Sequence, residues 1–171
     1  MKVGIGLPIR EAHIDGDFIR EWSRQADQAG FSSLAVTDRV VFSAKEPLIA
    51  LAVAAAVTDR IRLMTTVIVT PTRETTLLAR QCASIDALSN GRFTLGTGVA
   101  VRDEDYIATG YDFHQRGKRL DEQLPILKRI WAGEPADPEK KIGPIGPVPV
   151  TPGGPELLIG GYAPEIGRAH V

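Results

Sequence analysis

Ser89-Asn90-Gly91-Arg92-Phe93-Thr94-Leu95-Gly96-Thr97-Gly98 compresses a helix stop, a short strand and a glycine-rich strand end into one stretch. Gly91 stands where a helix ends in a left-handed residue. Phe93 to Leu95 is short and apolar, as a buried strand requires. Gly96 and Gly98 bring bare backbone to the strand's carboxyl end, where parallel α/β proteins place their sites. The pair alone is equally compatible with a tight turn. No third glycine precedes a helix, so this is not a dinucleotide fingerprint.

Working outward, the same grammar repeats. Val3 to Leu7 reads as a strand stopped by Pro8, and Asp15 or Asp17 caps a helix with Phe18, Trp22, Ala26 and Ala29 on one face, ended by Gly30. Phe31 to Thr37 is a second strand running into Asp38-Arg39, and Pro47 opens a small-residue helix through Ala56. Ile61 to Val69 is a β-branched third strand, and Thr75 to Leu88 a helix with Leu78, Cys82, Ile85 and Leu88 at helical spacing. After Gly98 come a polar segment from Arg102 to Arg116 and a helix from Arg119 to Trp131. A proline- and glycine-dense excursion from Gly133 to Gly154 then leads to a fifth strand, Glu156 to Ile159, closing on Gly160-Gly161.

Alternating strands and helices with no hairpin signal mean βα units around a parallel sheet. An open doubly wound sheet and a (β/α)8 barrel both satisfy this pattern. The 171 residues are fewer than the roughly 250 of a complete barrel, so the barrel reading is a truncated one of about five βα units. Residues 1–165 are then the amino-terminal part of one barrel domain. Ile166-Gly167-Arg168-Ala169-His170-Val171 breaks the expected helix pattern and matches a reading frame of a common sequencing adapter. Residues 166–171 are therefore expected to be a non-native tail.

Composition narrows the class. A chain 43% hydrophobic and 24% charged, with net charge -1, is ordinary globular material with no basic excess for nucleic acid. One cysteine excludes an internal disulfide framework and fits a reducing cytoplasm. The amino terminus does not read as a signal peptide, and no apolar run approaches the roughly 20 residues that span a bilayer. The expectation is a cytoplasmic protein with no membrane and no nucleic-acid partner.

Taken together, the motifs resemble the bacterial luciferase-like superfamily, flavin- and deazaflavin-dependent oxidoreductases on a TIM barrel. The matching residues include Gly30-Phe31-Ser32-Ser33-Leu34 into Thr37-Asp38-Arg39, Thr66-Val67 with Pro71, and Leu78-Ala79-Arg80-Gln81. Ile85 through Gly98, Gly110 with Phe113, Arg116 through Glu122, and the helix ending at Trp131 complete the series.

The resemblance implies a monooxygenase or oxidoreductase using FMN or the deazaflavin coenzyme F-420 on a small organic substrate. It further implies a homo-oligomer when full length. It places the flavin across the strand ends, with a non-proline cis peptide at Thr66-Val67 beneath the ring. The backbone at Gly98, Val99 and Ala100 is expected at the ring edge, and the amides of Gly160 and Gly161 at the cofactor phosphate. Asp38 and Arg39 fall at the catalytic rim, where many relatives carry histidine at position 39. Arginine stays charged at neutral pH. Arg39 therefore points to an anionic substrate or cofactor contact, or to an ion pair with Asp38 or Asp59.

The remaining candidates read as structural. His13 and His114 are expected in solvent, and Cys82 as core filler. Arg80, Asp86, Arg92 and Glu122 are expected in ion pairs. Asp103-Glu104-Asp105 reads as a solvated loop without a second ligand cluster, so no metal is expected. Two further readings stand beside the flavin enzyme. One is a phosphate-binding TIM-barrel lyase or isomerase using Gly160-Gly161, and the other is an inactive, poorly soluble truncated barrel.

Overall fold

The computed structural model describes residues 1–11, 13–140 and 143–161. Its strands are β1 (Gly4–Gly6), β2 (Ser33–Val36), β3 (Arg62–Thr65), β4 (Ile68–Val69), β5 (Phe93–Gly98) and β6 (Glu156–Ile159). Its α-helices are α1 (Gly16–Gln28), α2 (Pro47–Ala55), α3 (Thr75–Leu88), α4 (Asp103–Thr109) and α5 (Arg116–Trp131). Every strand pairing is parallel.

Strand order separates the two architectures. β1 pairs β2, β2 pairs β3, β3 and β4 both pair β5, and β6 lies on the far side of β5. Space follows sequence throughout, with no reversal of the kind that defines a doubly wound sheet. The helices obey the same order, α1 packing on α2, α2 on α3 and α3 on α5. A singly wound sheet with one helix layer is a barrel wall, here its first five strand positions.

The register explains the core. Ile5, Leu34, Leu63 and Phe93 stand opposite one another across four strands, and Leu95 stands opposite Leu157. Leu34, Leu63, Phe93 and Leu95 are fully buried against the helices, together with Leu51, Leu78, Cys82 and Leu127. On the other face the next layer aligns Gly6, Ala35, Met64, Thr94 and Glu156. There Arg62 Nε donates to Thr94 Oγ1 at 2.6 Å and to Glu156 Oε2 at 3.1 Å, a polar cluster on the barrel's inner side.

Local signals set most helix ends. Asp15 accepts the Phe18 N–H at 2.8 Å, Glu46 the Ile49 N–H, and Glu74 the Thr76 and Leu77 N–H groups. Gly30, Gly91 and Gly110 follow helices at φ of 82°, 78° and 76°. The α1 stripe differs from its expected form: Ile19, Ser23 and Ala26 are buried, while Phe18 is exposed and stacks on half-buried Trp22.

Two further expectations are corrected. Ile61 to Val69 is not one strand, because it divides at Thr66-Val67. From Met64 to Ile68 it advances four residues while β5 advances three, from Thr94 to Thr97, so the extra residue bulges. Asp103-Glu104-Asp105 is not a loop: it opens α4, which the polar segment from Arg102 to Arg116 holds together with a 3-10 turn, Phe113–Gln115.

The excursion before β6 is pinned at its end. Asp86 accepts the Thr151 N–H at 2.9 Å and its hydroxyl at 2.8 Å, and Gly154 packs on the Trp131 indole, where a Cβ would come within 2.5 Å. Asp86 thus hydrogen-bonds a loop rather than joining an ion pair. Arg92 likewise donates to the Ser89, Ile61 and Thr58 carbonyls, whereas Glu122 does pair, weakly, with Lys118. No helix among the described residues is long and apolar enough to cross a membrane.

Candidate active site

Parallel strands deliver all their carboxyl ends to one side, and the sequence-predicted residues gather there. A cavity of about 510 Å³ opens beside the ends of β1 and β2, with Leu7, Ile9, Ala35, Thr37 and Thr66 among its walls.

The Thr66-Val67 peptide is cis, as the resemblance implied. Thr66 is exposed and its N–H donates to the Val36 carbonyl at 2.7 Å. Val67 turns its side chain toward two glycines: a Cβ on Gly98 would lie 2.9 Å from Val67 Cγ2, and one on Gly160 3.0 Å from Cγ1. Gly96 is tighter still, since a Cβ there would overlap the Thr65 carbonyl oxygen. These glycines are required by the bulged strand itself. Just beyond, Val99 and Ala100 are partly exposed, and Ala100 holds a left-handed φ of 52°. Such residues concentrate at functional sites. Around Val67 the neighbours are thus glycine backbone, of Gly98 and Gly160.

Asp38 and Arg39 are adjacent in sequence but point into different networks. Asp38 is 7% exposed; its carboxylate accepts the Val69 N–H at 3.0 Å and pairs with Arg73 at 3.0 Å. Arg73 also reaches Glu46 at 2.8 Å. Burial works against the Arg73 charge, yet the Asp38 and Glu46 carboxylates overcome it and raise its pKa. Arg39 pairs with Asp105 at 2.7 Å and Glu104 at 3.4 Å. The sequence offered Asp38 or Asp59 as ion-pair partners; the partners come instead from α4.

Asp105 and Tyr106 are the residues that sequence reasoning missed. Asp105, expected in a solvated loop, is fully buried and accepts the Val40 and Val41 N–H groups at 3.0 and 2.8 Å. Tyr106, next to it, is fully buried and donates its hydroxyl to the Val99 carbonyl. Burial pushes the Tyr106 phenol up to about 12. One turn of α4 therefore fixes both the loop after β2 and the turn after β5. The available signal was an acid-aromatic pair upstream of the helix-ending Gly110.

Other expected residues lie away from this cluster. His13 and His114 are exposed, and Cys82 is fully buried on α3, where burial pushes its thiol up. The Gly160 N–H donates to the Thr97 carbonyl at 2.8 Å, continuing the sheet rather than facing an anion. Gly161 is the last residue described before 162–171, so the helix expected after it and the tail at 166–171 lie outside the described residues. Among the described residues no three His, Cys, Asp or Glu side chains form a metal-ligand group.

The model of the luciferase-like monooxygenase family matches residues 1–169. The chain belongs to this family. A protein of Mycobacterium tuberculosis described as uncharacterized is 28% identical over 90% of this luciferase-like chain and 62% of its own length. The oxygenase component of a flavin-dependent trigonelline monooxygenase from Acinetobacter baylyi is 32% identical over 53% of the chain and 26% of its own length. Among solved structures, the monooxygenase RslO1 from Streptomyces bottropensis superposes with a TM-score of 0.78 at 26% identity, over 93% of this chain and 53% of that one. The F420-dependent tetrahydromethanopterin reductase from Methanopyrus kandleri superposes with a TM-score of 0.68 at 18% identity, over 96% and 51%. This luciferase-like chain thus spans about half the length of the solved relatives and 62% of the first curated ones.

Proposed function

We propose that this luciferase-like chain is the amino-terminal part of a flavin- or deazaflavin-dependent oxidoreductase acting on a small organic substrate. The observation that carries this reading lies at the strand ends, where Val67 packs against Gly98 and Gly160 and the neighbouring Thr66 lines the cavity. Thr66, Val67 and Gly98 to Ala100 would hold the ring, with the Gly161 backbone beyond, since the Gly160 N–H is taken by the Thr97 carbonyl. The related oxygenating constituent of 3,6-diketocamphane monooxygenase was solved with FMN, with a TM-score of 0.78, and the Methanopyrus enzyme is F420-dependent. When bound, such a ring would supply the electrons, to dioxygen in a monooxygenase or as hydride in a deazaflavin enzyme.

The protein's contribution is orientation. Asp38 and Arg39 serve as positioning residues, Asp38 through Val69 and Arg73, Arg39 through Asp105. Arginine keeps its proton at neutral pH, so Arg39 fixes the loop rather than exchanging protons.

Titrating the chain with FMN and with coenzyme F-420, followed by cofactor fluorescence, tests the reading. Binding of one assigns the branch. Binding of neither overturns the proposal. Homo-oligomerisation of the full-length protein and a cytoplasmic location belong to the same proposal, the former checked by sedimentation.

A further inference from the structure

The loop after β2 combines two features that rarely coincide. Its backbone is locked, because the buried Asp105 carboxylate takes the Val40 and Val41 amides and the Arg39 guanidinium. Its side chains are nevertheless on display: Val40, Val41 and Phe42 are 39%, 43% and 45% exposed. A buried carboxylate is costly unless fully partnered. Here its partners are the loop itself, so the fold commits a charged group to holding three consecutive apolar side chains in water.

The loop meets the rim of the cavity at the ends of β1 and β2 through Arg10. Arg10, part of that cavity's rim, lays its guanidinium over the Phe42 ring at 4.4 Å. The cavity walls behind it are apolar, built from Ile5, Leu7, Pro8, Ile9 and Ala35. Charge at the rim is balanced, because Arg10 and Glu11 border the same opening. Arg39, the loop's own cation, is turned into the Asp105 and Glu104 carboxylates.

We propose that Val40-Val41-Phe42 is the substrate-selecting lip of this mouth, and that the substrate it admits is an uncharged apolar organic molecule. This deepens the flavin-enzyme reading by naming the substrate class of the same site, and rests on it for the word substrate. The lip contributes apolar contact area, Asp105 keeps it from collapsing onto the cavity, and the balanced rim gives an anion no advantage over a neutral molecule.

The probes are Nile red, which is uncharged, and the pair 2-naphthaleneethanol and 2-naphthaleneacetate, which share a ring and differ in charge. Each is titrated into the full chain, into Val41→Asp and Phe42→Ser, and into Leu77→Asp. The last lies in the separate exposed apolar groove between α2 and α3, where Ile49, Leu77 and Leu88 stand. Circular dichroism confirms that each variant keeps its fold; the lip side chains are solvent-facing, so both lip variants are expected to pass.

The expected result is Nile red binding weakened roughly tenfold by either lip variant and unchanged by Leu77→Asp. The naphthalene alcohol should bind at least as well as the carboxylate. No Nile red binding to the parent chain, lip variants without effect, loss of binding in Leu77→Asp, or a carboxylate preferred tenfold would each overturn the proposal. The flavin titration is read separately. Lip-dependent probe binding without flavin binding sinks the cofactor reading alone, and flavin binding with lip-independent probe binding sinks this one alone.

Discussion

Asp105 Oδ2 lies 2.7 Å from Arg39 Nε, joining the start of the loop after β2 to the helix after β5. The carboxylate has no solvent exposure and the guanidinium keeps 22%. Removing the Asp105 carboxylate strands the Val40 and Val41 N–H groups and leaves Arg39 only the longer Glu104 contact, at a cost of about 3 kcal/mol. Asp105→Ala should lower stability by about that amount in urea unfolding. Amide exchange at Val40 and Val41 should rise in the same variant, with exchange in β2 little changed. Unchanged protection at both amides would show that Asp105 does not hold the loop.

Gly96 and Gly117 make a matched pair of glycines with opposite expectations. A methyl group at Gly96 would overlap the Thr65 carbonyl oxygen, and backbone cannot yield as a flexible side chain does. Gly96→Ala should therefore prevent folding or cost several kcal/mol, since overpacking alone costs about 1–3. Gly117, near the start of α5, has open space where a methyl group would stand, with nothing within 4 Å. Gly117→Ala should stabilise by about 0.5–1 kcal/mol through helix propensity. Thermal melts of the two variants decide both halves.

Asp27 takes the N–H groups of Asp59 and Ile61, at 2.8 and 2.7 Å, and of Arg60 at 3.3 Å. Burial pushes its pKa up, but these backbone donors and Arg60 outweigh it and hold the carboxyl below 3.8. A carboxyl depressed in the fold favours the folded state above its unfolded pKa, and the benefit is lost as pH falls through the folded one. Stability should thus decline below about pH 4, and Asp27→Asn should flatten that decline while lowering stability at pH 7. Equal acid dependence in both proteins would remove Asp27 from the explanation.

Tyr106 makes the opposite prediction at alkaline pH. Its phenol rises from 10.0 to about 12, chiefly by burial, with Asp105 adding to the rise and Arg116 opposing it. A raised pKa in the fold means stability complete below pH 10 and lost progressively as pH climbs toward 12. Tyr106→Phe should lose about 1 kcal/mol at pH 7, for the unsatisfied Val99 carbonyl, and lack this alkaline decline. Ultraviolet titration of the phenolate alongside melting curves checks both.

Cys82 offers a direct probe of the core. Its side chain is fully buried on α3 and burial raises its pKa, which suppresses the reactive thiolate. The folded chain should be inert to a thiol-disulfide reagent at pH 8 and react within minutes in denaturing urea. Rapid modification without denaturant would mean that the packing around α3 opens readily.

The elements whose signals are local were legible in the sequence. Thr75–Leu88, Phe93–Gly98 and Glu156–Ile159 have the bounds read from periodicity and glycine position alone. The Thr66-Val67 site was legible only through family resemblance, because periodicity read that stretch as one continuous strand. By itself the sequence determined the alternation of strand and helix, the helix stops at Gly30 and Gly91, and the parallel character of the sheet. Each of these depends on residues within a few positions of one another. Tertiary structure alone decided the sequential strand order, the bulge that Gly96 and Gly98 accommodate, and the burial of Asp105 and Tyr106. Those depend on partners up to 66 residues away, as between Arg39 and Asp105, and a carboxylate's neighbours at that range leave no periodic trace in the chain.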